Sequence, residues 1–119
     1  MKAYGTEFGS ASVAACKQQG LLVWQVFPDG SGLQLPEISF DAFASFNFME
    51  HWPQPKSTLS DIAGVLKPGA LGLVEVPNFD MILKNNLFTE FISDHIFYFT
   101  ANTLQLMLET SGFEVIEII

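Results

Sequence analysis

Arginine is absent from this sequence, and only five lysines stand against thirteen acidic residues, for a formal net charge of −8. A chain without guanidinium forks lacks the usual bidentate clamp for phosphate and for guanine edges. The lysines do not cluster either, since they stand at 2, 17, 56, 67 and 84. Nucleic acid and anionic membrane surfaces are therefore not expected as partners. Cysteine is nearly absent too. Cys16 alone cannot close an internal disulfide, and it suits a reducing cytosol as a small buried group on a helix. No apolar run approaches the ~20 residues of a membrane span. The N-terminal stretch from Met1 to Gly5 has no signal-peptide core, so a cytoplasmic protein is expected. No internal repeat or low-complexity linker divides the 119 residues, which read as a single domain, 1–119.

What the chain does have is apolar mass. Hydrophobic residues make up 49% and charged residues 15%, which is core-forming material and not a disordered tail. Twelve phenylalanines are a heavy load for this length. Some could line an apolar cavity, though ordinary core is the simpler account of most of them.

The pattern along the chain alternates strand and helix. Ala3–Phe8 reads as a short strand, and Ser10 can cap a helix from Ala11 to about Gln19, stopped by Gly20. Leu21–Phe27, rich in Val, Trp and Phe, reads as a strand. Pro28 to Ser39 reads as loop. Phe40–Phe46 is the next strand, followed by a loop from Asn47 to Gln54. Ser57 or Thr58 can cap a helix to Leu66, in which Leu59, Ile62, Ala63 and Leu66 form one apolar stripe. Lys67-Pro68-Gly69 should stop it, and Leu71–Val76 should be a strand closed by Pro77-Asn78. Phe79–Phe99 is ambiguous and aromatic, resembling a lid. Thr100 should cap a helix to Ser111, ended by Gly112, and Phe113–Ile118 reads as a last strand.

That order implies an α/β sheet with helices on both faces. Such sheets bind ligands beyond the carboxyl ends of their strands. The rule singles out Glu7, the stretch from Asn47 to His51, the stretch from Val76 to Asn78, and the aromatic segment beyond.

The ordered set Phe40-Asp41-Ala42-Phe43, Met49-Glu50-His51, Leu66-Lys67-Pro68-Gly69-Ala70 and Val74-Glu75-Val76-Pro77-Asn78 resembles the later half of class I S-adenosylmethionine-dependent methyltransferases. Asp94-His95, Phe99-Thr100, Thr103-Leu104 and Gly112-Phe113-Glu114-Val115 are similar to the same family's next segment. The resemblance runs from about Ala3 to Ile118. It implies a Rossmann-like sheet of strand order 3-2-1-4-5-7-6, of which this chain would supply the equivalents of 2, 3, 4, 5 and 6. The central first strand and the final antiparallel strand would be missing, as would the glycine-rich loop that cradles the cofactor's methionine part. Gly30-Ser31-Gly32 and the spacing of Gly5 and Gly9 do not replace that loop. The chain is thus expected to be a fragment, inactive alone, with exposed sheet edges that favour self-association.

The resemblance also implies roles. Glu7, at the end of a strand and before a helix, matches the family's acid that binds the ribose hydroxyls of S-adenosyl-L-methionine. A carboxylate can accept two hydrogen bonds from a vicinal diol. Asn47, Glu50 and His51 match the family's cofactor-side loop, with Asn47 acting through its backbone. His95 lies where relatives place acceptor-contacting residues and is the candidate base, since imidazole exchanges protons near neutrality. Tyr98 and Asn78 are candidate acceptor contacts. Each has a plainer structural reading as well: a solvated acid, a helix cap, a packed ring. The acceptor is expected to be a small molecule, apolar or sugar-like. A metal is not expected, because zinc needs three or four converging ligands and adjacent acid–His pairs tend to point apart. Two other readings remain: a non-catalytic methyltransferase-like remnant or interaction module, and, more remotely, a nicotinamide-dependent oxidoreductase.

Overall fold

The computed structural model describes residues 2–27, 29–33, 35 and 39–119. The strand β1 (Gly5–Glu7) leads into the helix α1 (Ser10–Gln18) and back into β2 (Val23–Gln25). β1 and β2 pair in parallel, Gly5 opposite Val23 and Glu7 opposite Gln25. A second parallel pair joins β3 (Phe40–Phe46) to β4 (Leu66–Glu75), with α2 (Pro55–Val65) as the crossover. α3 (Phe79–Lys84) and α4 (Ala101–Glu109) complete the order. The described residues therefore hold two separate two-stranded sheets. A cavity of about 900 Å³ lies between β1 and β3, lined on one side by Tyr4 and Glu7 and on the other by Phe40 to Phe46.

Local chemistry explains most boundaries. α1 starts at Ser10 and not after it. Gly9 is the N-cap, and its N–H donates to Glu7 Oε1 at 2.7 Å, which fixes the turn from β1 into the helix. Gly20 takes φ +78°, the left-handed exit that glycine adopts without penalty. α2 begins at Pro55, earlier than a Ser57 or Thr58 cap would place it. Proline suits that first turn because its missing N–H would be an orphan there anyway. Thr58 is fully buried inside the helix. The helix ends at Val65, and Lys67-Pro68-Gly69 runs within β4 instead of before it. The ladder passes from Phe40–Leu66 to Ala42–Leu71, so these residues form a bulge.

Thr100 caps α4 through a reciprocal box with Thr103: its hydroxyl takes the Thr103 N–H at 3.1 Å, and Thr103 Oγ1 takes the Thr100 N–H at 2.9 Å. The loop expected from Pro28 to Ser39 is described in part, and Pro28, Gln34 and 36–38 lie outside the described residues. Residues Phe113 to Ile118 carry no ladder, which corrects the expected last strand. Among the described residues no strand pairs with them, and a second cavity, of about 1080 Å³, lies between this stretch and β4.

The core gathers Met49, Trp52, Leu59 and Phe99, with Ile62, Val74, Leu104 and Phe113 packed around it. It covers one face of β3 and β4. The other face carries Ala42, Ala44, Phe46, Leu71 and Leu73, all exposed. Cys16 is half-buried on α1, less enclosed than expected.

Candidate active site

The site is built where β3 ends. Asn47 takes φ +45°, a left-handed turn that asparagine tolerates better than most residues. Its N–H donates to the Glu75 carbonyl at 2.9 Å and its side-chain amide to Glu75 Oε1 at 2.9 Å. The carboxyl ends of β3 and β4 are thereby fastened together. A single 3₁₀ turn, Met49–His51, follows, anchored by the buried Met49 and Trp52.

Between those anchors Glu50 is 1% exposed. Its carbonyl accepts the N–H groups of Ile96 at 3.0 Å and Phe97 at 3.2 Å. Those two bonds lay the segment after α3 over the turn and bring His95 against His51. The imidazole rings sit edge to face, 4.8 Å apart. Glu50 Oε1 is 4.0 Å from His51 Nε2 and 3.9 Å from His95 Nε2, beyond hydrogen-bond reach. His51 Nδ1 makes a 2.9 Å bond to the Asp94 carbonyl oxygen. Both carboxylate oxygens of Glu50, the Nδ1 of His95 and the indole N–H of Trp52 are buried without a hydrogen-bond partner. The sequence argument that the two acid–His pairs point apart is thus corrected. Glu50, His51 and His95 converge because the main chain of Glu50 pairs with residues after His95, a link of more than forty positions that no local spacing reveals.

Tyr98 stands next to His95, ring centroids 6.1 Å apart, and packs on Phe79 and Phe91 at 5.4 and 5.3 Å. Its hydroxyl is engaged with the main chain of Ile92. Asn78 caps α3 by accepting the Met81 N–H at 3.2 Å. It lines the other cavity, beside β4 and the C-terminal stretch. Glu7 is half-buried at the end of β1 and borders the cavity between the sheets together with Phe48 and Trp52. Rings connect this end to the histidines: Phe8 on Phe27 at 5.5 Å, Phe27 on Phe48 at 6.4 Å, Phe48 on His51 at 6.2 Å. Sequence reasoning missed Glu75, Phe48 and Trp52. The signal for Glu75 was present, an acid ending a strand, while Phe48 and Trp52 looked like ordinary core.

Glu7, a half-buried acid at the carboxyl end of β1, could hold the ribose of S-adenosylmethionine. One carboxylate oxygen is committed to Gly9, and the other would hold ribose hydroxyls. No glycine-rich loop ahead of Glu7 is found among the described residues.

A family model described as a methyltransferase domain matches residues 7–118. The chain belongs to this family. This membership counts against the nicotinamide oxidoreductase reading. The C-methyltransferase NovU of Streptomyces niveus is 32% identical over 68 residues, covering 57% of this chain and 16% of the relative. A probable S-adenosylmethionine-dependent methyltransferase of Mycolicibacterium smegmatis is 34% identical over 83 residues, covering 70% of this chain and 32% of the relative. The chain thus spans a third or less of these curated relatives. Among solved structures, the complex of the Haloferax volcanii Trm112 methyltransferase activator with its methyltransferase matches with a TM-score of 0.79 at 20% identity, over 96% of this chain and 51% of that one. The YcgJ protein of Bacillus subtilis matches with a TM-score of 0.67 at 18% identity, over 91% of this chain and 50% of that one. The fold is accordingly an incomplete Rossmann-like methyltransferase sheet.

Proposed function

We propose that this chain carries the acceptor side of a methyltransferase that methylates a small molecule from S-adenosylmethionine, and that the 119 residues alone are inactive. The observation that carries the reading is the cluster of Glu50, His51 and His95 at the carboxyl end of β3, flanked by Tyr98 and open to solvent through His51, whose side chain is 25% exposed. When bound, the cofactor supplies the sulfonium methyl group. This chain's residues would do the rest: Glu7 holds the ribose hydroxyls, Asn47 fixes the loop behind them, and Tyr98 bounds the acceptor side, while Asn78 caps α3 beside the other cavity. His95 takes the acceptor's proton, with Glu50 facing its Nε2. The name of the Streptomyces relative supports carbon as the atom methylated. A cytosolic location accords with the lone cysteine.

The inactivity of the chain by itself rests on the cofactor. Most of its binding energy should come from a glycine-rich loop that the sequence ahead of Glu7 does not contain. Calorimetric titration of S-adenosylmethionine and S-adenosylhomocysteine into the folded chain tests this, with Glu7→Ala as control. No binding is expected. Micromolar binding that Glu7→Ala abolishes would show that the chain rebuilds the site and would overturn its incompetence alone.

A second reading, a non-catalytic interaction module, is favoured by the bare apolar face at Phe46, Leu71 and Leu73. Methyl transfer that persists in a longer chain and disappears with His95→Gln would exclude it.

A further inference from the structure

The polar atoms around Glu50 do not satisfy one another. The Glu50 carboxylate is an acceptor with neither oxygen bonded and a side chain 2% exposed. The bond from His51 Nδ1 to the Asp94 carbonyl requires that nitrogen to carry the proton, because a carbonyl only accepts. In the neutral ring Nε2 is then a bare lone pair, and it faces Glu50 Oε1 at 4.0 Å. His95 turns its own Nε2 to the same oxygen at 3.9 Å. One ligand atom from each of the three residues lies within 4.8 Å of the other two. Burying the Glu50 carboxylate with nothing positive bonded to it is costly.

We infer that Glu50, His51 and His95 form a binding site for one divalent transition-metal ion of the zinc type, ligated by the Glu50 carboxylate and the Nε2 atoms of both histidines. Two imidazoles and one carboxylate are a donor set that such ions take, leaving a fourth position for water or another oxygen ligand. Zinc holds its ligand atoms at about 2.0–2.2 Å, so tetrahedral neighbours stand about 3.3–3.6 Å apart. The distances of 3.9 and 4.0 Å, and the limit of 4.8 Å on every pair, must shorten for an ion to be held. The surroundings fit as well. Metal-bound histidines donate their remote N–H to a carbonyl or carboxylate, which fixes the ring and its tautomer. His51 does this toward the Asp94 carbonyl, with Asp94 Oδ2 a further 3.6 Å contact. The exposed edge of His51 gives the ion a path in, and the ring of Phe48 packs on that histidine.

The site uses Glu50 and His51, which the family resemblance places on the cofactor side, but neither Glu7 nor the cavity beside it. It does bear on the proton-accepting role, because an ion on His95 Nε2 removes that lone pair from the acceptor. The proton transfer proposed above therefore belongs to the metal-free protein, and a bound ion would inhibit it.

The test is titration of the tag-free chain at neutral pH with zinc, followed by calorimetry, and with cobalt(II), followed by visible absorption. One ion per chain and the intense visible bands of four-coordinate cobalt are expected. His51→Gln and Glu50→Gln should each weaken zinc at least tenfold, and Cys16→Ser should leave it unchanged. No binding by the folded chain at submillimolar zinc would overturn the site. So would equal affinity in His51→Gln, or loss of binding in Cys16→Ser. Should Glu50→Gln fail to fold, as circular dichroism would reveal, the partly exposed His51→Gln decides the matter alone.

Discussion

His51 Nδ1 lies 2.9 Å from the carbonyl oxygen of Asp94, forty-three positions along the chain. This bond ties the turn after β3 to the segment after α3, and it sets which nitrogen of His51 faces Glu50. Replacing the ring by one of similar shape without donors separates the two effects. His51→Phe keeps the contact with Phe48 and deletes the bond. The expected loss of stability is about 1 kcal/mol, the net worth of one such bond. Because the same segment is held by the Ile96 and Phe97 N–H groups on the Glu50 carbonyl, those two amides should exchange faster. Hydrogen exchange resolved at Ile96 and Phe97 checks this, and unchanged protection there would mean that the Glu50 carbonyl alone holds the segment.

Glu50 carries the opposite expectation. Its carboxylate is buried with both oxygens unbonded, so in metal-free protein the charge is a cost. Glu50→Gln keeps the shape and removes the charge, and should stabilise the metal-free chain by about 1–3 kcal/mol. Zinc at a hundred times its dissociation constant should raise the unmodified chain by about 2.7 kcal/mol and narrow the gap, since a variant that binds tenfold more weakly gains only about 1.4 kcal/mol. Urea unfolding with and without zinc measures both arms. A loss of stability in metal-free Glu50→Gln would mean that the carboxylate is paired with protonated histidine instead.

Much of this architecture is legible in the sequence, and what is not has a physical cause. β3 at Phe40–Phe46 and the Thr100 cap of α4 follow from local signals, a β-rich run and a threonine before an apolar periodic segment. The extent of β4 does not. Lys67-Pro68-Gly69 has turn chemistry, but pairing with Phe40 draws Leu66 into the ladder and leaves the three residues as a bulge. Tertiary pairing overrode propensity there. Phe113–Ile118 fails in the other direction, since its extended pattern is fit for a strand and a strand needs a neighbour. The convergence of Glu50, His51 and His95 was hidden for a related reason. It depends on two main-chain bonds to a carbonyl, and carbonyls leave no mark in the sequence.

Gly72 sits opposite Phe43 in the β3–β4 ladder, and a Cβ built there would run into the Phe43 ring. The ring is wedged in turn against Phe113, at 5.4 Å. Gly72→Ala must push Phe43 off the sheet or move Phe113, so overpacking should cost about 1–3 kcal/mol. Gly64, on the open side of α2, has nothing near its Cβ position, and Gly64→Ala should stabilise by several tenths of a kcal/mol through helix propensity. Thermal unfolding of the two alanine variants checks both signs in one experiment.

The exposed face of the second sheet makes the last prediction. Strand residues two apart share a face, and Leu71 and Leu73 stand beside Ala42 and Ala44 across the ladder. Leu71 is 63% exposed, Leu73 58% and Phe46 58%. Apolar side chains contiguous on one sheet face associate when nothing covers them. The net charge of −8 opposes this at low ionic strength and is screened as salt rises. The chain should therefore self-associate with concentration, more strongly in high salt. Leu71→Lys with Leu73→Lys should return it to monomer without loss of helix content, because neither side chain packs in the core. Sedimentation equilibrium at two salt concentrations decides it. A charged double variant that still associates would place the contact instead at the unpaired edges of β1 or β3, where backbone groups and not side chains make the bonds.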